Sequence, residues 1–268
     1  MEARKPMSRK EQSGGWLETA KTVVYAVLIA IVARTFAFEP FSIPSGSMIP
    51  TLLVDDYLFV SKYSYGYSKH SFPLSMAPFS GRIFEQAPQR GDVAVFKWPG
   101  NNRTDYIKRI IGIGGDRVQV IGGVLHINGK AVEIRELREG DPRPVEGSSD
   151  GQSHLYVETL PGGTPHVIRK KVRIDDKARP CGEKDAACNT DNTKEYLVPQ
   201  GHVFVMGDNR DDSSDSRDPQ SKVGFVPVEN LVGRAEFIFY SHDGTAEKWE
   251  VWKWPGAIRF GRLFKAIR

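Results

Sequence analysis

Two hydroxyls flank a glycine in the stretch Pro44-Ser45-Gly46-Ser47-Met48-Ile49-Pro50-Thr51-Leu52. A serine held between rigid residues on an apolar shelf can act as a nucleophile if a base lies within reach. Proline at either end disfavours helix and predicts a fixed, extended turn. Gly46 admits backbone conformations closed to other residues, or the close approach of another chain. A polar linker is the plainer alternative, but Met48, Leu52 and Leu53 follow at once and need burial. The base must come from elsewhere. His70, His126, His154, His166, His202 and His242 lie scattered in loops and at strand edges. None sits in a Gly-x-Ser-x-Gly or His-Glu-x-x-His setting, so they read as satisfied surface histidines. Asp105 to Gly112 reads as a strand, with Tyr106, Lys108 and Ile110 on one face and Ile107, Arg109 and Ile111 on the other. One basic side chain must then share a side with apolar residues, although the strand alone favours both splaying to solvent at a sheet edge. A third polar run, Gly207-Asp208-Asn209-Arg210-Asp211-Asp212-Ser213-Ser214-Asp215-Ser216-Arg217, suggests calcium by its acids. An EF-hand loop counted from Asp208 would need glycine and glutamate where Ser213 and Pro219 stand, so calcium is set aside for a solvated turn.

Taken together, the three runs resemble the bacterial type I signal peptidases, membrane-anchored Ser/Lys proteases. Pro-Ser-Gly-Ser-Met around Ser47 is followed about sixty residues later by Tyr106-Ile107-Lys108-Arg109, and then by the Gly-Asp-Asn-Arg-Asp-x-Ser-x-Asp-Ser-Arg run. The resemblance covers residues from about 36 to 120 and 200 to 240; Asp212 stands where many members carry another residue. It implies a mainly β fold, a coiled sheet of the kind shared with SOS-repressor autoproteases. It implies Ser47 as nucleophile, Lys108 as general base, and an oxyanion hole from the Ser47 backbone N–H and the Ser45 hydroxyl. Ser213 would hydrogen-bond and orient the lysine, Asp215 and Arg217 would pair to brace the site, and Arg109 would join them. Phe41, Ile43, Pro44, Met48, Leu52, Tyr57, Leu58, Val95, Tyr106 and Ile107 match the family's pockets for small residues before the cut, of Ala-x-Ala type. No metal or organic cofactor is required. Such chemistry needs an uncharged amine, and only roughly one unperturbed lysine in 2,500 is neutral at pH 7. Burial against apolar side chains lowers a lysine by as much as ~3–5 pH units, and about 8 would suffice.

The elements that must position these residues are legible more coarsely. The chain has 268 residues, enough for one large domain or two small ones, and its net charge of +4 is too mild to argue for nucleic acid. Frequent glycine and proline suit a β body with many turns. Residues 1–18 form a polar, basic tail, and Lys21 to Glu39 is an apolar run interrupted by Arg34. A cleavable leader would want a small-residue cut site, and a buried helix would want a polar face. The run reads instead as one uncleaved transmembrane helix over 19–39, with its basic end in the cytoplasm. Residues 40–120 and 200–245 are expected to form the catalytic β core, outside the bacterial inner membrane, with 121–199 a β insertion that shows no catalytic signal. Leu53 to Lys62 reads as two short strands around Asp55-Asp56, and Tyr63 to Gln89 as a partly ordered excursion. Hairpins are expected around Gly122-Gly123, Asn128-Gly129 and Pro161-Gly162-Gly163. Cys181 and Cys188 are read as a disulfide because that topology exposes them to an oxidising compartment. Residues 246–268 mix Lys253, Arg259, Arg262, Lys265 and Arg268 with Trp252, Trp254, Phe260 and Phe264. An interfacial segment on anionic lipid and a final strand packed on the domain fit this tail equally. Expected partners are exported preproteins, membrane lipid and the secretion translocon. Two rivals remain: a dedicated Ser/Lys processing protease for conjugation or pilin substrates, and a non-catalytic anchored β domain that binds peptides.

Overall fold

The computed structural model describes residues 15–72, 78–138, 153–175, 189–245, 250 and 252–267. Helix α1, Gly15–Phe36, leads within two residues into β1, Phe38–Ser42. The expected helix over 19–39 therefore shifts toward the N-terminus. Phe38 to Ser42 pairs antiparallel with β2, Asp56–Ser61, and Pro40 is tolerated there because β1 is an edge strand. Among the described residues no helix is long and apolar enough to cross a membrane. Large apolar side chains of α1, including Trp16, Val23, Val27, Leu28 and Val32, are exposed.

The body is mainly β, as expected. The strands after β2 are β3 Val93–Lys97, β4 Asp105–Ile113, β5 Arg117–Ile121, β6 Val124–Ile127, β7 Lys130–Ala131 and β8 Glu133–Glu136. They continue as β9 His154–Thr159, β10 His166–Lys170, β11 Tyr196–Leu197, β12 His202–Met206, β13 Val226–Pro227 and β14 Leu231–Ser241, with a short helix α2 at Trp254–Ala257. Seven strands form one antiparallel sheet in the order β1-β2-β14-β3-β4-β12-β13. Register shifts inside β14 and between β12 and β4 curl it. Two smaller sheets, β10-β9-β8 and β11-β5-β6-β7, hold the expected hairpins.

The central strands are buried on both faces, which is why β3 reads as a nearly continuous apolar run. Val93, Val95 and Ile107 pack with Ile43, Met48, Leu52 and Leu58 on one side. Ala94, Phe96 and Ile110 pack with Val203, Val205 and Leu231 on the other. A third cluster joins Ile111, Phe204 and Met206 of the large sheet to Leu125, Ile127, Leu160 and Val198 of the insertion. The insertion thus shares its core with the main sheet.

Two expectations are corrected and others gain detail. Residues 53–62 make one strand, not two, because Asp55 sits at φ 65 in a turn and the Asp56 carboxylate accepts the Leu53 N–H at 2.8 Å. The excursion after β2 is pinned where it is described: Tyr67 pairs with Ile83, and the Arg82 guanidinium donates to the carbonyls of Tyr65, Gly66, Val228 and Leu231. His70 and His166 are buried, not superficial. The tail packs on the domain: Phe264 N–H donates to Ile238 O at 2.7 Å, and Ile267 N–H to Glu236 O at 2.8 Å. Arg262 is fully buried against the Asp56 carboxylate and the Thr51 carbonyl. Trp252, Phe260 and Phe264 remain exposed on this packed segment. Cys181 and Cys188 lie outside the described residues.

Candidate active site

Ser47 sits in a single 3-10 turn, Gly46–Met48, rather than in extended chain. Both prolines lie outside the turn, so they stiffen its flanks and leave the middle free to wind. Met48 anchors it in the core with no exposure. Two contacts from the segment after β12 hold it from the other side. Asn209 N–H donates to Ser47 O at 3.1 Å, and Asn209 Nδ2 donates to Gly46 O at 2.9 Å. A Cβ on Gly207 would lie 2.4 Å from Ser47 O and 2.3 Å from Ser213 Oγ, so only glycine allows this approach.

Lys108 comes from the middle of β4, opposite Ala94 of β3. Strand alternation puts it on the side of Tyr106 and Ile110. Its Nζ lies 5.5 Å from the centre of the Tyr106 ring. It donates to Ser47 Oγ at 2.7 Å and to Ile107 O at 3.0 Å. Only 4% of Lys108 is exposed, and burial pushes its amine down to about 8, against the opposing pull of the Asp215 and Asp208 carboxylates. At pH 7 about one molecule in ten then carries a neutral amine, roughly 230-fold more than for an ordinary lysine. A neutral amine within hydrogen-bond reach of a hydroxyl can accept its proton and leave a nucleophilic oxygen.

Two buried ion pairs surround the site. Asp215 and Arg217 join through Nε–Oδ1 at 3.0 Å and Nη2–Oδ2 at 2.8 Å, and Asp215 also accepts the Gly207 N–H at 3.0 Å. Arg109 does not join this pair. Its guanidinium meets Asp208 at 2.8 and 2.7 Å and donates to Gly91 O at 2.8 Å. The reason is alternation: Arg109 leaves the strand on the opposite face from Lys108. Burial alone would raise Asp208 and Asp215, but Arg109 and Arg217 respectively hold each below the ordinary aspartate value. Ser213 does not hydrogen-bond Lys108; its Oγ is buried without a hydrogen-bond partner.

A cleft of about 600 Å³ opens over Ser47. Its walls are Pro44, Ser45, Gly46, Ile49, Asp105, Tyr106, Ile107, Lys108, Arg169, Asn209, Asp212 and Ser214. Of the expected pocket residues, Pro44, Tyr106 and Ile107 line it. Ile43, Met48, Leu52, Leu58 and Val95 form the apolar core beneath, with Phe41 partly buried against them. Tyr57 faces away, its ring among Phe239, Tyr240 and His242, because it alternates with Leu58 along β2. Ser45 is exposed at the rim, and its hydroxyl makes no capping bond to the turn that follows. Sequence reasoning missed Asp208, Asn209 and Arg169. Asp208 leaves a signal, since Arg109 and Arg217, if both are buried, call for two carboxylates and Asp215 supplies only one.

Curled sheet and buried serine–amine contact fit a serine peptidase. The model of the family described as "Signal peptidase, peptidase S26" matches residues 16–240, and the chain belongs to that family. A signal peptidase I of Rickettsia typhi is 37% identical over 263 residues, covering 91% of this chain and 90% of the relative. That of Rickettsia akari is 38% identical over 258 residues, with 91% and 90% covered. The crystal structure of a signal peptidase I from Enterococcus faecalis is 25% identical, covers 56% of this chain and 97% of its own, and superposes with a TM-score of 0.29.

Proposed function

We propose that this serine peptidase removes signal peptides from exported preproteins after small residues, with Ser47 as nucleophile and Lys108 as general base. The observation that carries the reading is the 2.7 Å contact between Lys108 Nζ and Ser47 Oγ, made by a lysine that is buried. Ser47 attacks the scissile carbonyl while Lys108 takes its proton. The tetrahedral oxyanion is held by the Ser47 backbone N–H and the Ser45 hydroxyl, a donor role worth about 3–4 kcal/mol in other enzymes. The leaving amine takes the proton from Lys108, and the Lys108 amine, neutral again, then takes a proton from water, which releases the acyl-enzyme. Asp215–Arg217 and Arg109–Asp208 keep the flanking backbone fixed, since a base displaced by a fraction of an ångström loses much of its effect. Ser213 orients Lys108 once the amine releases Ser47 during turnover.

The catalytic unit comprises 40–120 and 200–245, with 121–199 an accessory insertion. Helix α1 anchors the enzyme in the bacterial inner membrane with its basic tail in the cytoplasm, which accounts for apolar side chains exposed along the helix. Lipid and the translocon are then its neighbours. Cleavage of a preprotein in detergent by wild type, Ser47→Ala and Lys108→Ala tests the chemistry: both variants are expected to be inert, and cutting by either contradicts it. A non-catalytic peptide-binding domain would bind equally well with Lys108→Ala and cut with neither form. For topology, protease added outside sealed cells should digest the bulk of the chain and spare its first twenty residues or so.

A further inference from the structure

The β9–β10 hairpin of the insertion is fastened to the nucleophile-holding segment at four points. Arg169 N–H donates to Asp208 O at 2.9 Å, and Arg210 N–H returns a bond to Arg169 O at 2.9 Å. Beneath this bridge the Glu158 carboxylate takes the Arg210 guanidinium on both oxygens, with Nη1–Oε1 at 2.9 Å. Neither partner is more than 2% exposed. Beside it the buried Lys170 ammonium lies 2.9 Å from Asp211 Oδ1 and 2.5 Å from Asp191 Oδ1. Asn209, between the clamped Asp208 and Arg210, is the residue whose backbone and side chain grip the carbonyls of Ser47 and Gly46. A buried ion pair is weak evidence for stability, because apolar residues of similar volume serve as well. Fixing a geometry accounts for its presence here.

We propose that Glu158 and Arg210 form a positioning pair: the insertion's carboxylate fixes the Asp208–Arg210 segment and, through Asn209, sets the Ser47 hydroxyl at its distance from Lys108. The inference rests on Ser47 being the nucleophile. It gives the insertion a catalytic consequence although no group from this pair touches substrate. Lys170 acts with it as a second, outer clamp on the same segment.

The test compares Ser47→Ala, the double variant Glu158→Leu/Arg210→Met, and Lys170→Met in the full chain in detergent. Preprotein cleavage gives kcat and KM, and urea unfolding gives stability. Because the double variant replaces both charges, it is expected to stay folded and keep KM within about twofold while losing about tenfold or more in kcat. Lys170→Met is expected to lose kcat a few-fold at unchanged KM. A folded double variant with wild-type kcat overturns the proposal. If the double variant does not fold, Lys170→Met decides: a kcat loss at unchanged KM supports the clamp, and wild-type kcat refutes it. Ser47→Ala separates the two layers of the argument. Should it still cut, the nucleophile assignment has failed; if it is inert while the double variant turns over at the wild-type rate, only the clamp has failed.

Discussion

Replacing Lys108 by methionine should make the protein more stable while abolishing its activity. The side chains are of similar length, so packing is nearly conserved, and the substitution removes a buried amine that is only 4% exposed. With the folded amine at about 8 and the unfolded one near 10.5, the charged form is penalised in the fold. At pH 6.5 the penalty is about 3 kcal/mol, from 1.36 kcal/mol per pH unit of difference. Between about pH 8 and 10.5 the unfolded chain binds more protons at this position than the folded chain, so wild-type stability rises with pH through that window. At pH 9.5 the penalty has shrunk to roughly 1.5 kcal/mol. The assay is urea unfolding of wild type and Lys108→Met in mild detergent, followed by tryptophan fluorescence, from pH 6.5 to 9.5. The advantage of the variant should fall by about 2 kcal/mol across this range as other titrations cancel in the difference. A difference that stays constant with pH, or a variant less stable than wild type at pH 6.5, would refute the reasoning.

Three other substitutions probe the surroundings. Asp208→Asn leaves the Arg109 guanidinium buried without its carboxylate, at a cost of about 3–5 kcal/mol in urea unfolding. Because Asp208 raises the Lys108 amine, the same variant should move the acid limb of kcat/KM to lower pH. Gly207→Ala drives a methyl into Ser47 O and Ser213 Oγ; displacement of the serine by an ångström should cost about a hundredfold in kcat, measured on a preprotein. Asp56→Asn unpairs the buried Arg262 and weakens the tail and the 53–56 turn together, with an expected loss of about 3–5 kcal/mol in the same unfolding assay.

The distribution of what could be read beforehand has physical causes. Strand alternation alone put Lys108 beside Tyr106 and Ile110 and Arg109 on the other face, and both placements hold because β4 is regular over that stretch. The hairpins at Gly122-Gly123 and Pro161-Gly162-Gly163 were legible because their turns demand those residues. The partner of Arg109 was not legible, since it depends on where the segment after β12 leaves the sheet. Tyr57 shows the limit of matching by position: on β2 a neighbour of a core residue necessarily faces the other way. Arg169 gave no signal, because its hairpin comes from a region without catalytic residues and reaches the cleft only through the third dimension. The tail's final packing turned on Arg262, whose burial against Asp56 joins two parts of the chain some two hundred positions apart.

Catalysis requires that one lysine be uncharged often enough to serve as base to one serine. The pH dependence of kcat/KM on a preprotein tests it most directly, because it reports ionisations in the free enzyme. A lysine base depressed to about 8 gives a rate that rises tenfold per pH unit on the acid side and levels with its midpoint there. A limb whose midpoint lies above pH 10, or a rate flat down to pH 6, would contradict it.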